Sequence, residues 1–85
     1  MRVTVQLFAR LREIAGRQTL DVEVAEPATV ADVWQAVAAG MPALAPFASS
    51  VSCAVNAEFA RPAAPVRAGD DIAFLPPVSG GAPIK

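Results

Sequence analysis

From Arg2 to Phe8 the chain reads RVTVQLF, with Val3, Val5 and Leu7 alternating against Thr4 and Gln6. Alternation of period two marks a strand with one face in a core. In ARLREIAG, residues 9–16, the period changes. Leu11, Ile14 and Ala15 fall at helical spacing and Gly16 closes the segment, which predicts a short helix or helical turn. Alternation returns in QTLDVEV, residues 18–24, placing Leu20, Val22 and Val24 inward and Asp21 and Glu23 in water. Pro27 ends this strand region. Thr29 then supplies a helix N-cap, with Asp32 three residues on in the capping-box position. Val30, Val33, Trp34 and Val37 recur at i, i+3, i+4 and i+7, one apolar helical face, and Gly40 stands where a C′ residue is expected. Trp34 is the largest core candidate.

MPALAPFASS, residues 41–50, carries two prolines and holds only a turn or two of helix. VSCAVNAEFA predicts a strand, a tight turn near Asn56-Ala57, and a short strand around Phe59. Gly69 and Asp70 mark another turn, and IAFL, residues 72–75, is a last strand stopped by Pro76-Pro77. The order is strand, strand, helix, strand, short strand, strand. In so short a chain, that order predicts an α+β fold. The expected form is a mixed sheet of about five strands with one main helix across one face, first and last strands parallel at its centre. This is the β-grasp, or ubiquitin-like, arrangement. Residues 1–75 form the domain, 76–81 a flexible tail ending in Gly-Gly and 82–85 a C-terminal extension.

Composition narrows the chemistry. Of 85 residues, 54% are hydrophobic and 18% charged, which is globular, and the net charge is −1. No basic face is evident for nucleic acid. No stretch approaches the length of a membrane span, and no signal peptide precedes the first strand, so the expectation is a cytoplasmic protein. With no histidine and the single Cys53, a His/Cys metal cluster, an internal disulfide and a Ser-His or Cys-His nucleophile pair are all excluded. Cys53 reads as a small buried hydrophobe. Asp70-Asp71, lacking further ligands nearby, reads as a solvated pair in a turn rather than a metal site.

The tail offers a different kind of chemistry. Pro76 and Pro77 cannot extend the sheet ladder. The six residues 76–81 would span about 20 Å if extended. Gly80 and Gly81, without Cβ atoms, fit a channel too narrow for other residues. Such a tail can deliver a C-terminal carboxylate into another protein's active site. There ATP can convert it to an acyl-adenylate, and a sulfur donor can displace AMP to leave a thiocarboxylate.

Three stretches, VQLFARLREIAG, AVN at 54–56 and AGDDIAFLPPVSGG at 68–81, resemble the small β-grasp sulfur carriers, in particular the small subunits of molybdopterin synthase. The resemblance covers residues 1–81. It implies that Gly81 is adenylated by an activating enzyme related to those of the ubiquitin pathway, using ATP, and then thiocarboxylated. It also implies that the tail enters a large synthase subunit and gives sulfur to cyclic pyranopterin monophosphate in molybdenum cofactor biosynthesis. The chain would thus be one subunit of an enzyme and no catalyst alone, with no bound cofactor. Phe8, Phe59 and Leu75 match the family's apolar docking patch, and Arg12 the arginine that meets the activating enzyme. Strand alternation separately places Phe8 and Leu75 away from the core.

APIK, residues 82–85, departs from the pattern, because in this family Gly-Gly ends the chain. A processing protease is one expected partner; a stored precursor or a divergent paralogue would also account for it. The rival readings are a carrier for cysteine or thiamine thiazole synthesis, activated by removal of 82–85, and a ubiquitin-like interaction module that carries no sulfur.

Overall fold

The structure is a computed structural model that describes residues 1–77, so Gly80, Gly81 and the extension 82–85 lie outside the described residues. The alternating opening segment forms β1, Arg2–Leu7, with Val3, Val5 and Leu7 buried. A short helix α1, Ala9–Ala15, buries Leu11 and ends at Gly16, whose φ of 71° supplies the left-handed C-cap. The chain returns as β2, Thr19–Glu23, antiparallel to β1 from Arg2↔Glu23 to Gln6↔Thr19.

After a two-residue strand β3, Ala28–Thr29, comes α2, Val30–Gly40. Its capping box is complete: the Asp32 N–H donates to Thr29 Oγ1 at 3.3 Å, and the Thr29 N–H to Asp32 Oδ2 at 2.9 Å. Two further N-terminal donors, on Val30 and Ala31, reach the carbonyls of Ala64 and Pro62 at 3.0 and 2.9 Å. Gly40 is not the C′ residue. It is the last helical residue, and the chain leaves the helix at Met41 (φ −139°, ψ 79°). The cause is Pro42: the residue before a proline is pushed out of helical geometry. A 3₁₀ segment, Pro42–Phe47, follows and buries Leu44.

The remaining strands are β4, Ser52–Val55; β5, Glu58–Ala60; β6, Pro65–Val66; and β7, Asp71–Leu75. The main sheet has the order β2-β1-β7-β4-β5, with β1 and β7 parallel at its centre, which is the β-grasp arrangement; β3 and β6 form a separate small ladder. β4 and β5 are joined through Asn56 and Ala57, whose φ values of 50° and 71° are those of a tight hairpin turn. All of α2's apolar face packs on the inner side of the sheet. Trp34 meets Phe74 edge to face, ring centroids 4.9 Å apart. Burial pushes the Cys53 thiol above its ordinary range, in keeping with its place in that core. No described helix is long and apolar enough to cross a membrane.

Candidate functional site

The outer side of the sheet, opposite α2, carries the residues that matter. Alternation along β7 sends Ile72 and Phe74 into the core and Asp71, Ala73 and Leu75 outward. Register then fixes their neighbours. Gln6 lies beside Ala73, Ala73 beside Ala54, Ala54 beside Phe59, and Leu75 beside Ser52. Phe8 continues β1 in extended geometry (φ −119°, ψ 154°), and its N–H donates to the Phe74 carbonyl at 3.3 Å. Two residues beyond Gln6, its side chain joins the outer face next to Leu75. Phe8, Leu75 and Phe59 are therefore brought to one surface, on three different strands.

Their exposures differ. Phe59 is 83% exposed, the one large hydrophobic so open among the described residues. Phe8 and Leu75 are half-buried. Between them lie Ala73 and Ala54, small side chains that sequence reasoning passed over because alanine signals neither a core nor a contact. Arg12 is exposed on α1, which begins directly after Phe8, so this cation stands at the same end of the sheet.

The opposite end of this face is polar and internally bonded. Gln6 Nε2 donates to both carboxylate oxygens of Asp71, at 3.0 and 2.8 Å. Asn56 Nδ2 donates to Asp70 Oδ1 at 3.1 Å, and Asn56 Oδ1 accepts from the Asp71 N–H at 3.0 Å. Asp70 Oδ2 also accepts from the Arg67 N–H at 2.8 Å. The acidic pair is thus a set of struts tying the hairpin turn to the last loop, and not the freely solvated pair expected. No cluster of metal-ligating side chains occurs among the described residues. Asn56, read in the sequence as a turn residue and as part of AVN, is the residue that joins these two turns.

The arrangement divides the face by function. Its polar half holds turns together, while its apolar half is left open, and the chain leaves β7 from within that apolar half. Leu75 is both the last residue of the central strand and part of the patch; Pro76 and Pro77 follow it directly.

Comparison with known proteins places the chain as a whole. Small archaeal modifier protein 1 of Haloferax volcanii is 37% identical over 84 residues, covering 89% of this chain and 97% of that protein. A crystal structure of that organism's modifier protein matches at a TM-score of 0.85 and 35% identity, covering 95% of this chain and 100% of its own. The molybdopterin synthase sulfur carrier subunit of Chlamydomonas reinhardtii is 34% identical over 83 residues, covering 95% of this chain and 100% of that subunit. Residues 5–81 match the ThiS family, a span that runs from the second half of β1 through β7 to the Gly-Gly pair, and the chain belongs to that family.

Proposed function

We propose that this protein is the sulfur-carrying small subunit of a molybdopterin synthase, acting in the cytoplasm through a thiocarboxylate on Gly81. The observation that supports it most is the coincidence of tail and patch. A partner that covers Phe8, Leu75 and Phe59 necessarily holds the start of residues 76–81 at its own surface. Docking and delivery are then one event, and the reacting end arrives already oriented.

The chemistry needs a free carboxylate at Gly81, so residues 82–85 are first removed by hydrolysis of the Gly81–Ala82 peptide bond. An adenylating enzyme couples the carboxylate to ATP, releasing pyrophosphate. A sulfide equivalent attacks the acyl carbon and AMP leaves, so a C–O bond is exchanged for C–S. In the large synthase subunit the sulfur passes to cyclic pyranopterin monophosphate. Within this chain, Phe8, Leu75 and Phe59 dock successive partners, Arg12 pairs with the activating enzyme, and Gly80-Gly81 thread the narrow site.

Reconstitution tests this with ATP, sulfide, an activating enzyme, a large subunit and the pterin substrate. A form ending at Gly81 should yield molybdopterin, whereas the full-length chain should do so only when a protease is present. Gly81→Ala in the shortened form should still bind the large subunit but transfer sulfur about 100-fold more slowly, because the methyl displaces the reacting carbonyl. Equal activity of the uncut chain would overturn the proposal. A second reading is favoured by the 37% identity to a protein named a modifier. The same activated Gly81 would be attacked by a lysine amine, leaving an isopeptide bond. Mass spectrometry of proteins from the native host separates the two: a Gly81–lysine linkage supports modification, and a thiocarboxylate alone supports carriage.

A further inference from the structure

Activation of Gly81 puts a reactive acyl group at the end of a short tail, and the first surface it meets is the chain's own. A group tethered to its own domain by a few residues meets that domain at an effective concentration of about millimolar. An unprotonated amine there would attack the acyl-adenylate. A C–N bond forms, the C–O bond to AMP breaks, the amine's proton passes to water, and the product is an amide that can carry nothing further.

The chain offers almost no group able to do this. Six of its seven basic side chains are arginines, and its single lysine is Lys85, inside the extension whose removal frees Gly81. Arg2, Arg10, Arg12, Arg17, Arg61 and Arg67 are all exposed, where lysines would be within reach of the tail. A guanidinium stays protonated and has no lone pair to give, whereas a small fraction of any lysine is free amine. The chain has no tyrosine, and no histidine to activate its serine and threonine hydroxyls. Two nucleophiles remain in residues 1–81, and the fold holds both. The Met1 ammonium is part-buried, donates to the Val24 carbonyl at 2.8 Å and stands 3.7 Å from Glu23 Oε2. Cys53 is 6% exposed on the inner side of β4, and burial pushes its thiol away from the reactive thiolate.

We propose that the chain ending at Gly81 is protected from its own activated terminus. Arginine replaces lysine over its surface, and its amine and its thiol are held in the fold, so the acyl group passes only to a nucleophile that a partner presents. This rests on the activation of Gly81 proposed above, and it holds for either fate of that residue. As a sulfur carrier the chain does not acylate itself; as a modifier it is a donor and never an acceptor, so it builds no polymer of its own copies. An uncut copy is the exception, because it still contains Lys85. Removal of residues 82–85 therefore does two things: it frees the carboxylate and it discards the one side-chain amine.

The test installs the reactive carbonyl chemically, as a thioester of Gly81 on the chain ending there. No activating enzyme is needed, so a failure here is distinct from a failure of molybdopterin synthesis. The folded thioester should hydrolyse to the free acid without joining to itself or to another copy, as intact mass shows, while added glycine amide is acylated. Arg17→Lys and Arg61→Lys, each checked for folding by circular dichroism, should form an amide at the new lysine about tenfold or more faster than any adduct of the parent chain. Mixed with the full-length chain, the thioester should join Gly81 to Lys85 and to no other residue, as peptide mapping will locate. In denaturing urea the Met1 amine is released and should be acylated. Adducts of the folded parent at Met1 or Cys53, lysine variants as inert as the parent, or a chain as inert in urea as when folded would each overturn the proposal.

Discussion

Phe59 separates folding from docking more cleanly than any other residue on the outer face. Its ring is 83% exposed, on a three-residue edge strand, and it sits beside Ala54. Truncation to alanine removes little that folding had buried, so stability should change by about 0.5 kcal/mol or less. Binding is another matter. An aromatic side chain offers about 150–250 Å² for burial. Covering most of that at about 25 cal/mol per Å² gives an upper limit of about 4–5 kcal/mol. Ordering of the ring and imperfect fit reduce this, and central apolar anchors commonly contribute about 2 kcal/mol or more. Phe59→Ala should therefore weaken binding to the large synthase subunit by about 30-fold or more. Calorimetric titration measures the affinity and urea unfolding the stability. A Kd within threefold of wild type, with an unchanged urea midpoint, would show that the exposed ring is not a contact.

Three further outcomes follow from the geometry. Trp34 is 6% exposed and packs on Phe74, so Trp34→Ala should cost about 3–5 kcal/mol and leave a small domain near its unfolding threshold, as thermal melting will show. Ala57 holds φ at 71°, where a Cβ is unfavourable; Ala57→Gly should raise stability by about 1 kcal/mol, seen as a higher urea midpoint, and a lower one would refute the turn geometry. Burial raises the Cys53 thiol, so the unfolded chain ionises first. Stability should be full below about pH 8.5 and fall as pH rises toward the folded-state value, by at most about 1.4 kcal/mol per pH unit, and Cys53→Ala should flatten that decline.

The parts of this fold legible in the sequence are those where a regular period runs for several residues. RVTVQLF and the α2 face are unambiguous because each repeats its pattern against the core, and the first carries Phe8 to the outer side with it. β3 and β6 were not legible, since two residues cannot show a period; their pairing depends on contacts made across the chain. The same limit applied to Phe59. A three-residue strand leaves its inward side undecided between core and solvent, and only the register with Ala54 resolves it. Gly40 was misplaced because its own preference yields to the proline two residues later. Asp70 and Asp71 looked solvated because their partners, Gln6 and Asn56, are distant in sequence. Alternation made the outward sides of Phe8 and Leu75 legible; the open edge of β2 is a property of topology, visible only once strand order is known.

The parallel pairing of β1 with β7 also governs when this protein can become itself. Gln6 and Asp71 meet across 65 residues, and β7 is the strand that joins the β2-β1 half of the sheet to the β4-β5 half. Until β7 inserts, the two hairpins have no shared ladder and Phe74 is absent from beneath Trp34. Closing so long a loop before its contacts reward it is slow, so the last strand is expected to set the folding rate. On a ribosome, the sheet cannot close before residue 75 has emerged. Phe8, Leu75 and Phe59 come to one surface only through the ladders that β7 completes, so a partner that needs all three selects molecules whose sheet has closed.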